Sequence, residues 1–96
     1  MATQLESMDR FVEARLLREE TFAAHRRSLG DDDEQTLVAE ARLAVNMMKS
    51  GLREEAKEHF SHVYEVRLRA LGPEHELTRW TGRWLASTDT EGDSDR

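Results

Sequence analysis

Four groups of residues in this chain have types and spacings that could do chemistry. Glu55, Glu58, His59 and His62 fall at i, i+3, i+4 and i+7, so on a helix two carboxylates and two imidazoles share one face. A divalent metal accepts such donors. A carboxylate-bridged centre, however, needs matching Glu-x-x-His elements on other helices. Here Phe22 stands three positions before His25 and Gly72 three before His75, so the stripe reads as a solvated helix face without a metal. The run Asp31-Asp32-Asp33-Glu34 offers carboxylates to a cation but lacks the alternating ligands and glycine of a calcium loop. Capping and solubilising the next helix is its expected role. From Arg79 to Trp84 the chain reads RWTGRW, two tryptophans with two arginines. Such side chains are enriched at binding hot spots, because a large rigid face is joined to a polar handle. Trp80 and Trp84, four apart, would also serve to cap a core. Gly82 between them would let another backbone approach, or only weaken its helix.

For catalysis the inventory is poor. There is no glycine-rich phosphate loop, no nucleophile elbow and no cysteine. Ser7, Ser28, Ser50, Ser61, Ser87 and Ser94 have no base paired with them in the pattern. A non-enzymatic protein without cofactor is expected. Its 20 acidic residues outnumber 14 basic ones for a net charge of −6, and this field repels polyanions. Nucleic-acid reading through Arg42, Arg79 and Arg83 is disfavoured on that ground, and an anionic membrane likewise. No apolar run approaches the roughly 20 residues that cross a bilayer, and the N-terminus lacks a basic-then-apolar signal pattern. A cytoplasmic location follows as the expectation.

The elements that must position these residues are helices. Across 96 residues there is one proline, Pro73, and the segments between Gly30, Gly51 and Gly72 hold strong helix formers. We read an all-α chain of four antiparallel helices, about Thr3–Leu29, Glu34–Lys49, Leu52–Leu71 and Glu74–Ser87. In the first, Leu5, Met8, Val12, Leu16 and Ala23 recur in steps of three, four and seven, and a break near Asp9 would shorten its length. Leu37, Ala41, Ala44 and Met48 form the stripe of the second, which Asp32 or Asp33 would cap. The third turns Ala56, Phe60, Val63 and Leu71 inward with Tyr64 beside them. Arg26-Arg27 and Arg67, Arg69 bring positive charge to the ends of the first and third helices, against the negative end of the dipole. Residues 88–96 hold four acids and one arginine, −3 of the −6, and are expected to be a disordered acidic tail.

Self-comparison at an offset of 42 residues aligns nine identities in 32 pairs from Glu13 to Ala44. Among them are Glu13-Ala14 with Glu55-Ala56, Leu29-Gly30 with Leu71-Gly72, Thr36 with Thr78, and Leu43-Ala44 with Leu85-Ala86. Such a unit is a helical hairpin whose apolar face a neighbouring unit must cover. Ala14, Ala44 and Ala56 would let the helices approach closely, with Phe60, Val63 and Met47 filling the space around them.

Leu43-Ala44, Gly51, Glu54-Glu55-Ala56, Leu71-Gly72-Pro73-Glu74-His75 and Thr78 resemble a tetratricopeptide repeat of the long, roughly 42-residue type of kinesin light chains and many bacterial regulators. The resemblance covers about residues 9–86. Two departures stand out: the family's second proline is Glu76, and its helix A asparagine pair is replaced by Ala41-Arg42 and Arg83-Trp84. The resemblance implies a short right-handed solenoid of helical hairpins over residues 1–87. Helix B of the first unit would span about 9–29, with Thr3 to Met8 a remnant of its helix A; a whole unit would span about 34–71, and helix A of the last about 74–87. It further implies a concave wall lined by helix A. Val38, Ala41, Arg42, Val45, Met48 and Lys49 would stand there with Trp80, Arg83, Trp84 and Ser87. The expectation is a protein-interaction module: Val45, Met48, Trp80 and Trp84 supply apolar contact, while Arg42, Lys49 and Arg83 orient an acidic group. Two rival readings use the same surface, as the interface of a structural or regulatory homodimer, or to present a substrate peptide to an enzyme. About two repeats leave both ends of the solenoid uncovered, so a homodimer is expected.

Overall fold

The computed structural model describes residues 3–89, with side chains described for 12–88. It is all-helical: α1 (Thr3–Leu29), α2 (Glu34–Lys49), α3 (Arg53–Leu71) and α4 (Glu76–Asp89). Each helix packs on the next in sequence, and α2 also touches α4. The hairpins therefore lie side by side, with α2 and α4 neighbours on one face.

Local chemistry sets the boundaries. Gly30 and Gly72 take φ of 97° and 90°, a left-handed conformation open to glycine, and end α1 and α3. Asp33 caps α2 by accepting the Gln35 N–H at 2.9 Å. His75 does the same for α4, its Nδ1 accepting the Leu77 N–H at 3.1 Å. That cap starts α4 two residues later than the sequence suggests. The helix also runs two residues further, to Asp89, where Thr88 is buried and its Oγ1 donates to the Leu85 carbonyl at 2.7 Å. The rest of the expected tail lies outside the described residues.

The 42-residue repeat reappears as hydrogen bonds. Thr36 Oγ1 donates to the His25 carbonyl at 3.2 Å, and Thr78 Oγ1 to the Arg67 carbonyl at 3.3 Å. Gly30 N donates to the Arg26 carbonyl and Gly72 N to the Leu68 carbonyl, each at 3.0 Å. In every case donor and acceptor are both displaced by one repeat.

The core has two parts. One gathers Phe22, Ala39, Leu43, Ala44, Met47, Ala56 and Phe60, with Val45, Met48, Leu52, Trp80, Trp84 and Leu85 packed against it. The other is Leu37, Val63 and Val66. Expected core residues Leu37, Ala41, Ala44, Ala56, Phe60, Val63 and Met47 are buried. Leu71 is not: the last residue of α3 lies 38% exposed beside the Gly72 turn. In α1 the expected stripe is also reversed. Val12, Leu16 and Ala23 face solvent, and Phe22 is the buried residue, so a different arc of the helix meets α2 and α3. Leu5 and Met8 lie outside the described side chains. The α1 backbone passes Asp9 without a break, so Thr3 to Met8 continue one helix instead of forming a separate remnant.

Candidate functional site

Four of the residues expected to face the concave wall surround the Phe60 cluster. Phe60 is fully buried, and the Trp84 ring stacks on it at 5.6 Å and 13°. Trp80 meets Phe60 edge-on at 6.4 Å and Trp84 at 6.2 Å. Val45 and Met48 of α2 pack on the same cluster. All four are only half-buried, so each gives one side to the core and keeps the other accessible. Core packing and surface display are therefore combined in the same rings. Trp80, Arg83, Trp84 and Ser87 line a cavity of about 220 Å³ along α4. Arg83 also borders a neighbouring hollow of about 360 Å³ with Glu74, Glu76 and Arg79.

Val38 and Arg42, one turn apart on α2, line a separate cavity of about 370 Å³. Its other wall is α1, through Arg18, Thr21 and His25. Two guanidiniums and an imidazole thus border one hollow. The Arg18 Nε is enclosed and has no hydrogen-bond partner among the described residues. Glu34 is the acid in this lining, and its Oε2 already accepts from Arg67 Nη2 at 2.8 Å. Lys49 is exposed at the end of α2 and lines none of these cavities. Ala41, expected on the wall, is 3% exposed and belongs to the interior instead. Gly82 gives its space to Tyr64: a Cβ there would lie 3.2 Å from the ring, so the close approach is by a side chain and not a backbone.

Sequence reasoning missed two buried charges. Glu40 is 4% exposed, and its two carboxylate oxygens accept from His59 Nδ1 at 3.0 Å and His62 Nδ1 at 2.8 Å. Asp32 faces the other side of His62, 3.4 Å from Nε2. The His59–His62 stripe is therefore no solvated face; it closes the α2–α3 contact, with the Phe22 ring edge-on to His59 at 5.7 Å. Burial disfavours the charged form of His62, but the hydrogen bond and charge of Glu40, helped by Asp32, outweigh it and raise the pKa above the ordinary histidine value. Acceptors on both ring nitrogens are what the doubly protonated imidazolium requires. Glu55 and Glu58, the other half of the stripe, remain exposed. Among the described residues no group of three or more His, Cys, Asp or Glu is arranged to hold a metal ion.

Arg67 is the second buried charge. It does not simply complement the end of α3: it is 2% exposed, donating to Glu34 at 2.8 Å and to Thr81 Oγ1 at 3.0 Å. This ties α3 to α2 and α4 at once. One signal for Glu40 was available, an acid placed between Ala39 and Ala41 in a stretch that is otherwise mostly apolar. The aspartate run divides its work: Asp31 pairs with Arg26 at 3.4 Å, Asp32 faces His62 and Asp33 caps α2.

Comparison of the chain with family models, with curated proteins and with solved structures finds no match in any of the three. Among the described residues no helix is long and apolar enough to cross a membrane.

Proposed function

We infer that the chain is a non-catalytic protein-interaction module, and that it binds an acidic peptide segment along the face shared by α2 and α4. The observation that carries this is the cavity between α1 and α2, bordered by Arg18, Arg42 and His25, on the same helix α2 that carries the half-buried Val45 and Met48 packed with Trp80 and Trp84 on one core cluster. Guanidiniums at a half-enclosed hollow recognise carboxylates well, because the hydrogen bonds are charge-assisted and the fork matches the carboxylate. The adjoining half-buried apolar side chains would hold aliphatic residues of the same segment. The tetratricopeptide-like reading of the scaffold rests on the quoted motifs, and the hydrogen bonds that recur at an offset of 42 residues belong to the repeat itself.

The rival reading, in which this face joins two copies of the chain, has less to rest on. Each tryptophan ring already gives one side to Phe60, and the hollow along α4 that would meet its own copy carries Arg83.

Selection of displayed peptides on the immobilised chain tests the proposal. Enriched peptides should carry Asp or Glu beside aliphatic residues, and Arg42→Glu with Arg83→Glu should weaken them at least about 30-fold, two charge-assisted contacts being worth about 2 kcal/mol together. Both arginines are exposed, so helicity should not change. Peptides without acidic bias, or with unaltered affinity for the double variant, would sink the reading.

A further inference from the structure

The outer face of α1 carries exposed leucines and alanines on either side of a charged line, and the proposed groove does not use it. Leu16 and Leu17 are 54% and 65% exposed, and Ala23 and Ala24 on the same side are exposed as well. Leu16 and Ala23, like Leu17 and Ala24, are seven residues apart, so they recur on one arc of the helix. Glu13, Glu20 and Arg27 run along the middle of that arc, also at intervals of seven and all exposed. Phe22 marks the opposite arc, which faces the core.

We propose that this face binds a second copy of the chain, as an antiparallel α1–α1 pair with Glu20 on the two-fold axis. The series fits itself in that register. Residues whose numbers add to about 40 stand at the same height, and the two-fold keeps each edge of the arc on its own side, so Leu16 meets Ala23 of the second copy and Leu17 meets its Ala24. A large side chain then faces a small one at each flanking contact, and the charged side chains along the middle of the arc keep the helix axes about 10 Å apart. At both ends Glu13 meets Arg27 of the other copy, giving two opposite-charge pairs. A parallel pair would set Glu13 on Glu13, Arg27 on Arg27 and leucine on leucine. Charge and volume therefore select the same orientation. One contact opposes it: Glu20 faces its own copy, so the pairing is weak as well as specific. A helix pair of this length buries about 1,000 Å², the lower end of specific interfaces, in keeping with micromolar self-association. Arg18 and His25 lie off this arc, so pairing leaves the groove between α1 and α2 open.

Sedimentation of the full chain gives the first readout: at about 100 μM, a hundredfold above a micromolar constant, the mass should be twice 11.1 kDa. A monomer at that concentration overturns the proposal. Leu16→Glu with Leu17→Glu should return the monomer with unchanged circular dichroism, since both leucines are exposed. A persisting dimer means another surface is used. Register is tested by charge. Glu13→Arg and Arg27→Glu should each weaken the dimer about tenfold, the double exchange should restore it, and Glu20→Gln should tighten it. Failure of the double exchange to restore pairing refutes the antiparallel register. Because the chain has no cysteine, Glu20→Cys should form a disulfide dimer on mild oxidation faster than Glu54→Cys on exposed α3. Equal rates would refute the two-fold position of Glu20.

Discussion

The junction of α1 with α2 and that of α3 with α4 are built to one plan, yet different side chains complete them. Each has a positive-φ glycine, a side-chain cap two residues before the N–H it satisfies, and a buried threonine donating to the preceding helix. At the positions that differ, Arg67 replaces His25 and Gly82 replaces Glu40. His25 bends back to its own helix, its Nδ1 donating to the Thr21 carbonyl at 2.8 Å, and leaves a hollow beside it. Arg67 fills the corresponding region by reaching Glu34 and Thr81. A backbone frame can thus be repeated while the side chains decide which junction is closed and which keeps a cavity.

That contrast can be broken by substitution. Arg67→Ala should cost about 3 kcal/mol, through two lost charge-assisted contacts and the space left behind. His25→Ala should cost under about 0.5 kcal/mol, and urea unfolding of the two variants measures the gap. Equal losses would mean that the two junctions are closed alike. Thr36→Val and Thr78→Val should each cost about 1 kcal/mol, because valine keeps the shape and removes a buried hydroxyl bond. Values that differ by more than about 1 kcal/mol would show that the shared frame is not shared energetically. The smallest effect concerns pH. The His62 pKa is raised on folding, so its contribution is complete below the unfolded value of about 6.5 and fades as pH climbs through the folded one. Melting temperature should therefore drop slightly from pH 6 to 8, and His62→Gln should flatten that slope; a slope the variant leaves unchanged would place the titration elsewhere.

Helix limits were legible because caps and glycines act within a few residues. Asp33 and Gly72 announce themselves without knowledge of the rest of the chain. The buried arc of α1 was not legible, because Val12, Leu16, Leu17, Phe22 and Ala23 put apolar residues around much of the helix and only the neighbours select Phe22. Glu40 and Arg67 depend on partners 14 to 33 residues away, which no local spacing reveals. In the candidate site, the grouping of Trp80 and Trp84 with Val45 and Met48 followed from the helix A frame, while Arg18 and His25 did not. They belong to the preceding helix, and they enter the site because α1 borders the hollow that α2 opens.

Glu40 has one more consequence, for the order in which the chain folds. Its carboxylate comes from α2, and both groups that satisfy it come from α3. While α2 is docked on α1 alone, that charge must stay in water, because taking it into an apolar contact without partners costs several kcal/mol. The apolar residues around it then cannot close fully until α3 arrives. Docking of α3 on α2 and the withdrawal of the Glu40 charge from water are in this way made a single event.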